Sequence, residues 1–388
     1  MLPRYLRPQA VFDGQSLRSD VVLQLSPEGR VSLNPEPPEG AKIEALAGVV
    51  SHGLVDLQVN GGGGVMLNDQ PNGAGMAVIA QAHRRLGTVR LLPTLITDCA
   101  EKAQALVDAL LGAPLPAAIL GVHFEGPHIA PARRGTHRAA DIRPFERQSL
   151  QQCARLRAAG IAVMVTLAPE QVALEDIAAL AALGVVVSIG HSDATAAQVE
   201  AALQAGARNF THLFNAMSQM QGREPGVVGA AILSDADIGF ICDGHHVAPD
   251  MLRLALKAHG AARAHLVSDA MATVGGGPSF SLYGQEIRVE GGRLINAEGN
   301  LAGAHVSLAD CVLNACRLLG LSGAQALHMA ISNPARVMGF DFDLAQGAWL
   351  QDLILWPDGE AVGAAWRPKQ LPQLLEAVLA EGGLTRSA

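Results

Sequence analysis

Glu125, His191, His212 and Asp269 are the side chains best placed to do chemistry. Each lies at or near the end of an apolar run: AILGVHFE, VVVSIGH, NFTHLF and LVSD. A buried, unpaired carboxylate is costly or shifts its pKa, so Glu125 needs a compensating partner. One carboxylate with two neutral imidazoles is a three-ligand set for a catalytic divalent cation, leaving a position open for water. These residues are far apart in the chain, so only a fold that gathers strand ends makes them a site. Asp269 offers a second function. Beside a cation that brings the pKa of water toward about 7, a carboxylate takes the proton and returns it to a leaving group, a transfer worth roughly 10²–10⁴-fold. The competing reading of Asp269 is a turn or capping residue before MATVGGG.

The same rule extends to Asp243, which ends the run ICD, and to the first run, which continues Asp56-Leu57-Gln58-Val59-Asn60 into four glycines. For Asp56 the favoured reading is a hydrogen bond to nearby backbone, although period two puts it on the face of Gln58. Basic residues follow: Arg133, Arg134 and His137 in ARRGTHR, Arg223 in QGREPGVVG, and His245 and His246 after the seventh run. Basic loops on an acidic chain suggest an anionic ligand such as a phosphate, which Arg grips bidentately. Arg133 and Arg134 read individually as a solvated loop. Arg223, framed by Gly222, Pro225 and Gly226, reads as part of a defined one.

What must position these residues is legible in the texture. Eight apolar runs (53–58, 89–96, 118–125, 161–168, 185–191, 209–214, 238–243, 264–269) alternate with helical segments at 74–86, 100–111, 146–158, 171–183, 194–205 and 249–259. Such alternation predicts a parallel sheet covered on both faces. Eight units over roughly 250 residues fit an α/β fold of the (β/α)8 barrel type, whose strand C-termini share one functional rim; a doubly wound open sheet is the alternative. Residues 1–48 and 339–388 read as two parts of a small β domain, with the barrel at 49–338 between them. Residues 275–300 read as a hairpin insertion, followed by helices at about 306–319, 323–330 and 333–338.

The chain has 388 residues, 49% of them apolar and 4% aromatic, and a formal net charge of −8. That charge argues against nucleic-acid or polybasic membrane surfaces. Five scattered cysteines without a CxxC pair indicate a reducing compartment. With no signal-peptide core and no run long enough to span a bilayer, the expectation is a cytoplasmic enzyme with no nucleic-acid or membrane partner.

Taken in order, GLVDLQVNGGGG, LPTLIT, GVHFEGPHI…RRGTH, TLAPE, SIGHSDAT, THLFNAM, GREPGVVGA, DGHHV, LVSDA and LAG resemble the N-acetylglucosamine-6-phosphate deacetylase family of the amidohydrolase superfamily. The motifs run from about residue 49 to SNPAR at 332–336. The resemblance implies a (β/α)8 barrel with a small β-sandwich and hydrolysis of the acetamide of N-acetyl-D-glucosamine 6-phosphate. It implies Glu125, His191 and His212 as metal ligands, Asp269 as general base and then acid, and His137, beside Thr136, near the scissile carbonyl. Asn215, Ala216 and the turn Asp243-Gly244-His245-His246 would line the sugar site, and Leu301, Ala302 and Gly303 would close over it. Arg223 and His246 would bind phosphate, with Arg223 reaching across a homodimer interface.

Many amidohydrolases carry His-x-His at the end of the first strand, supporting a second metal. Here Gln58 and Asn60 stand there, and amides are poor ligands beside imidazole or carboxylate. One divalent ion per chain follows, with zinc first and Fe, Co or Mn as alternatives; His123 is read as lying behind the ligands. His52, His245, Met271 and GAHVSL depart from the family pattern. The alternatives are an amidohydrolase acting on another anionic N-acetylated sugar or a cyclic amide, and a catalytically inactive metal-binding barrel.

Overall fold

The computed structural model describes residues 3–33, 37–296, 299–357 and 368–370. Its centre is a parallel sheet of eight strands: β1 Leu54–Val59, β2 Thr88–Ile96, β3 Gly121–Glu125, β4 Ala162–Leu167, β5 Val186–Ile189, β6 Asn209–Phe210, β7 Asp237–Ile241 and β8 Ala264–Val267. The strands pair in chain order. A parallel bridge from Val59 to Ala270, with Asn60 N and Gly61 N both donating to Ala270 O at 2.9 Å, brings β1 against β8. This closure makes the sheet a barrel and not the open alternative. Its strands are buried on both faces, as β1 (LVDLQV) and β4 (AVMVTL) show, which is why they read as near-continuous apolar runs.

The covering helices use ordinary start and stop signals. Asn72 caps helix Gly73–Arg85 by accepting from Gly75 N. Thr195 and Gln198 form a capping box on helix Ala196–Gln204. One helix, Gly226–Leu233, is absent from the sequence reading. It is apolar on all sides (GVVGAAIL) and so carries no amphipathic period.

The small domain is a separate β-sheet. N-terminal strands Arg4–Phe12, Leu23–Leu25, Arg30–Leu33 and Ile43–His52 are joined by Ala348–Trp349 and Leu353–Trp356. Strand Leu353–Trp356 pairs antiparallel with His52 to Val49. Leu6, Val11, Leu23, Val50, Leu353 and Leu355 give this sheet its own core. The strand ending at His52 continues into the barrel through Gly53, so the sheet extends past the expected boundary at 48. The tail positions 358–362, read as strand, lie outside the described residues, as do 34–36 of the polar loop and 297–298 of the insertion.

The expected hairpin insertion is larger than a hairpin. Ser279–Leu282, Gln285–Glu290, Arg293–Ile295 and Leu301–Ala304 form a four-stranded antiparallel sheet. The bridge from Ala270 to Ala304 lays it beside the rim of the barrel.

Candidate active site

Glu125 is the last residue of β3, while His191, His212, Asp243 and Asp269 each lie two positions beyond β5, β6, β7 and β8. The chain turns sharply there. His191, His212, Phe214, Ala216 and Asp269 all have positive φ, from 30° to 79°. Left-handed backbone costs a non-glycine residue on the order of 1 kcal/mol, and its clustering on one rim marks a functional surface.

At the centre, Glu125 Oε1 lies 3.2 Å from His191 Nε2 and 3.0 Å from His212 Nε2, and the two nitrogens are 3.1 Å apart. All three residues are buried. His191 Nδ1 lies 2.8 Å from the Arg133 carbonyl oxygen, which can only accept. The imidazole therefore donates from Nδ1 and turns Nε2 toward Glu125, the nitrogen that would ligate a cation once its proton is displaced. Burial works against ionising Glu125, but hydrogen bonds and charge from His191 and His212 outweigh it and hold the carboxyl well below the usual range. Burial likewise opposes protonation of His212, yet the Glu125 carboxylate raises its pKa. A buried anion drawing a proton onto a neighbouring imidazole is a site shaped for positive charge, and its two nitrogens and one oxygen suit a divalent transition metal.

Asp269 is held by two amides. Gln58 Nε2 donates to its Oδ1 at 3.0 Å and Asn60 Nδ2 at 2.7 Å. The same Gln58 nitrogen donates to Glu125 Oε1 at 2.9 Å. Burial first, and then repulsion from Glu125, push the Asp269 pKa up to about 6.

His137 stands opposite. Its Nδ1 lies 2.7 Å from Thr97 Oγ1 and accepts from Thr97 N at 3.4 Å. With Nδ1 the acceptor, the proton sits on Nε2. Burial, aided by His191, lowers the His137 pKa to about 3, so the ring is neutral at any ordinary pH. These groups share a cavity of about 160 Å³ lined by Asn60, Glu125, His137, His191, His212 and Asp269 among others. A neutral N–H donor, a carboxylate base and a cation-ligand set around one cavity are the parts of a metal-assisted amide hydrolase.

Known proteins agree with that chemistry. No family model matches the chain. N-acetylgalactosamine-6-phosphate deacetylase of Shewanella sp. (strain ANA-3) is 40% identical over 334 residues, 81% of this chain and 83% of its own length. N-acetylglucosamine-6-phosphate deacetylase of Bos taurus is 37% identical over 309 residues, 76% of this chain and 75% of its own. The chain belongs to the N-acetylglucosamine-6-phosphate deacetylase family. The solved structure of a Mycobacterium smegmatis N-acetyl-D-glucosamine-6-phosphate deacetylase mutant, in complex with N-acetyl-D-glucosamine-6-phosphate, superposes with a TM-score of 0.82. It is 30% identical and covers 92% of this chain and 96% of its own.

Within this deacetylase fold, Thr136, Asn215, Ala216, His246, Leu301 and Gly303 line the same cavity. Other expected contacts lie back from it. Asp243 accepts from His245 N at 2.8 Å and His246 N at 2.9 Å, and its Oδ2 lies 2.6 Å from His246 Nδ1. It therefore aims His246, while Gly244 and His245 are exposed on the turn. Ala302 points the other way along its strand, into an apolar cluster with Met66 and Leu294. Arg223 is exposed and does not line the cavity of this single chain. His123 has both nitrogens engaged below the site, with Leu57 O at 3.0 Å and Thr166 Oγ1 at 2.7 Å. Asp56 Oδ1 accepts from Gln58 N and Ser268 N, both at 3.2 Å, the backbone bonding expected of it.

Some contributors escaped the sequence reading. Thr97 sets the His137 tautomer, and the Arg133 carbonyl sets that of His191 while the Arg133 side chain pairs with Asp193 on the surface. A backbone acceptor has no residue-type signal. Ile96 also lines the cavity; it ends the second run, and without a polar group it carries no chemical signal in the sequence.

Proposed function

We propose that this chain hydrolyses the acetamide of N-acetyl-D-glucosamine 6-phosphate to D-glucosamine 6-phosphate and acetate. The observation that carries the reading is the convergence of Glu125, His191 and His212 with Asp269 and His137 on one cavity. Glu125, His191 and His212 would hold one divalent ion, zinc being the best match to a His2Glu set and Fe, Co or Mn being alternatives. When bound, that ion supplies the positive charge that polarises a carbonyl and makes water nucleophilic near neutral pH.

The protein groups do the rest. His137 donates its Nε2 proton to the carbonyl oxygen as negative charge develops there, and being neutral it gives a hydrogen bond without losing a proton. Asp269, anionic at neutral pH, takes a proton from the attacking water. Its Oδ1 is occupied by Gln58 and Asn60, so Oδ2 does the proton transfer, and the same atom delivers the proton to the departing amine. Asn215, Ala216 and His246 face the sugar, and Leu301 and Gly303 cover it.

The phosphate needs a cation, and Arg223 is the candidate if a second copy supplies it. Met220, Leu233 and Leu254 are 41%, 82% and 46% exposed, on the 220–233 segment and the helix that packs against it. Exposed apolar side chains on the segment that carries Arg223, and on the helix beside it, favour a homodimer in which Arg223 crosses to the partner cavity. Described cysteines are all free, which supports a reducing, cytoplasmic setting. Among the described residues no helix is long and apolar enough to cross a membrane.

The Shewanella relative favours a second reading, N-acetyl-D-galactosamine 6-phosphate, which differs only in the configuration at one sugar carbon. The deciding experiment offers purified protein both sugars, with and without 6-phosphate, and measures acetate release. No release from any of the four would overturn the proposal, and preference for the galacto form would select the second reading.

A further inference from the structure

The cavity lining is mixed: Asn215 and His246, after β6 and β7, bring polar groups, whereas Ile96 at the end of β2 and Met271 just beyond β8 bring apolar ones from one cluster. Both aliphatic side chains stand beside reacting groups. Ile96 is in register with Glu125 across the β2–β3 pair and precedes Thr97, which holds His137. Met271 follows Asp269 by two positions, and both are tied to Ala304: Ala304 N donates to Asp269 O at 2.9 Å and Met271 N donates to Ala304 O at 3.1 Å. Met271 and Ile96 are 1% and 2% exposed and belong to one cluster with Leu282 and Ile287 of the antiparallel sheet.

The Met271 side chain is also held from the far side. A Cβ built on Gly303 would meet its Cγ at 2.7 Å, its Cε at 2.8 Å and its Sδ at 3.0 Å. The thioether thus fills space that only glycine leaves open, and it forms a fixed piece of wall.

On the deacetylase reading above, the substituents of the scissile carbon can be assigned one by one. The carbonyl oxygen goes to His137 and the sugar nitrogen leads toward Asn215 and His246. The remaining substituent, the acyl methyl, faces Ile96 and Met271. We propose that Met271, backed by Ile96, is the stop that limits the N-acyl group to acetyl. A methyl gains from an aliphatic wall, but each further methylene must displace a packed side chain whose neighbours have little room to give. One methylene in such a pocket discriminates by roughly 10–200-fold.

The test compares kcat/KM for N-acetyl and N-propionyl forms of the same amino-sugar 6-phosphate in wild-type, Met271→Ala and Met271→Leu protein. The ratio within one preparation is independent of how much of it is folded, so a destabilised variant still reports. Wild type should favour acetyl by at least about tenfold, Met271→Ala should erase most of that preference, and Met271→Leu, of similar volume, should keep it. If Met271→Ala cannot be purified, Met271→Val carries the same comparison. An equal ratio in wild type and the truncated variant, or no preference in wild type, overturns the proposal. Wild type inactive on either acyl form of both the gluco and galacto sugars would overturn the deacetylase reading with it.

Discussion

Asp269→Asn should separate the stability of this fold from its activity. The replacement is nearly isosteric, and the asparagine carbonyl oxygen can still accept from Gln58 and Asn60, as Asp269 Oδ1 does at 3.0 and 2.7 Å. Asparagine also tolerates the left-handed backbone here, φ 51°. What changes is charge. Burial and the neighbouring Glu125 raise the Asp269 pKa from 3.8 to about 6. The unfolded chain releases this proton near pH 4 and the folded chain only near pH 6. Folding therefore carries a penalty that grows between those values and is constant above them. The difference between the two release points corresponds to about 3 kcal/mol. In chelator-treated protein, urea unfolding should show Asp269→Asn ahead of wild type by about 1 kcal/mol at pH 4.5, rising to about 3 kcal/mol at pH 8. Acetate release by the metal-loaded variant should fall by at least about 10². A stability difference that is absent at pH 8, or the same at both pH values, would refute the electrostatic account. Unchanged turnover would remove Asp269 from the mechanism.

Arg223→Ala should weaken action on the 6-phosphorylated sugar by about tenfold or more, as loss of a charged hydrogen bond does, while sparing unphosphorylated N-acetylglucosamine; equal losses on both would end its phosphate role. His137→Asn should lower kcat by about 10²–10³-fold with much less effect on KM, the pattern of a donor lost from a developing oxyanion; a change confined to KM would make His137 only a binding residue. Elemental analysis should find about one divalent ion per chain. A stoichiometric pair would contradict the reading that Gln58 and Asn60 replace the ligands of a second ion.

The eight strands were legible because their burial on both faces leaves unbroken aliphatic runs, and Glu125, His191, His212 and Asp269 because each interrupts that pattern at a strand end. A different kind of information was hidden. Helix Gly226–Leu233 is apolar all round and shows no period. Asp243 looked like a cavity residue, yet its carboxylate is consumed in turning the chain and aiming His246, a distinction that depends on side-chain direction and not on residue type. The Arg133 side chain suggested surface, correctly, while its carbonyl orients His191. The alternation at Leu301, Ala302 and Gly303 separates two lining residues from one core residue, and it became readable only once that segment was known to be a strand.

Gln58 links the Glu125 and Asp269 carboxylates, and on the proposed function its position accounts for a single ion. Its single Nε2 reaches both Glu125 Oε1 and Asp269 Oδ1, so it fixes the distance between the cation-ligand set and the proton carrier. A histidine there would contribute a lone pair and attract a second ion; an amide N–H repels one and instead shields the carboxylates from each other. Shielding is incomplete, since Glu125 still raises the Asp269 pKa. Positive charge beside Glu125 would relieve that repulsion and favour the anionic, base-competent form of Asp269. Cation binding and the Asp269 proton are therefore coupled through the field of one buried carboxylate, and filling the ligand set would extend the base form of Asp269 to lower pH.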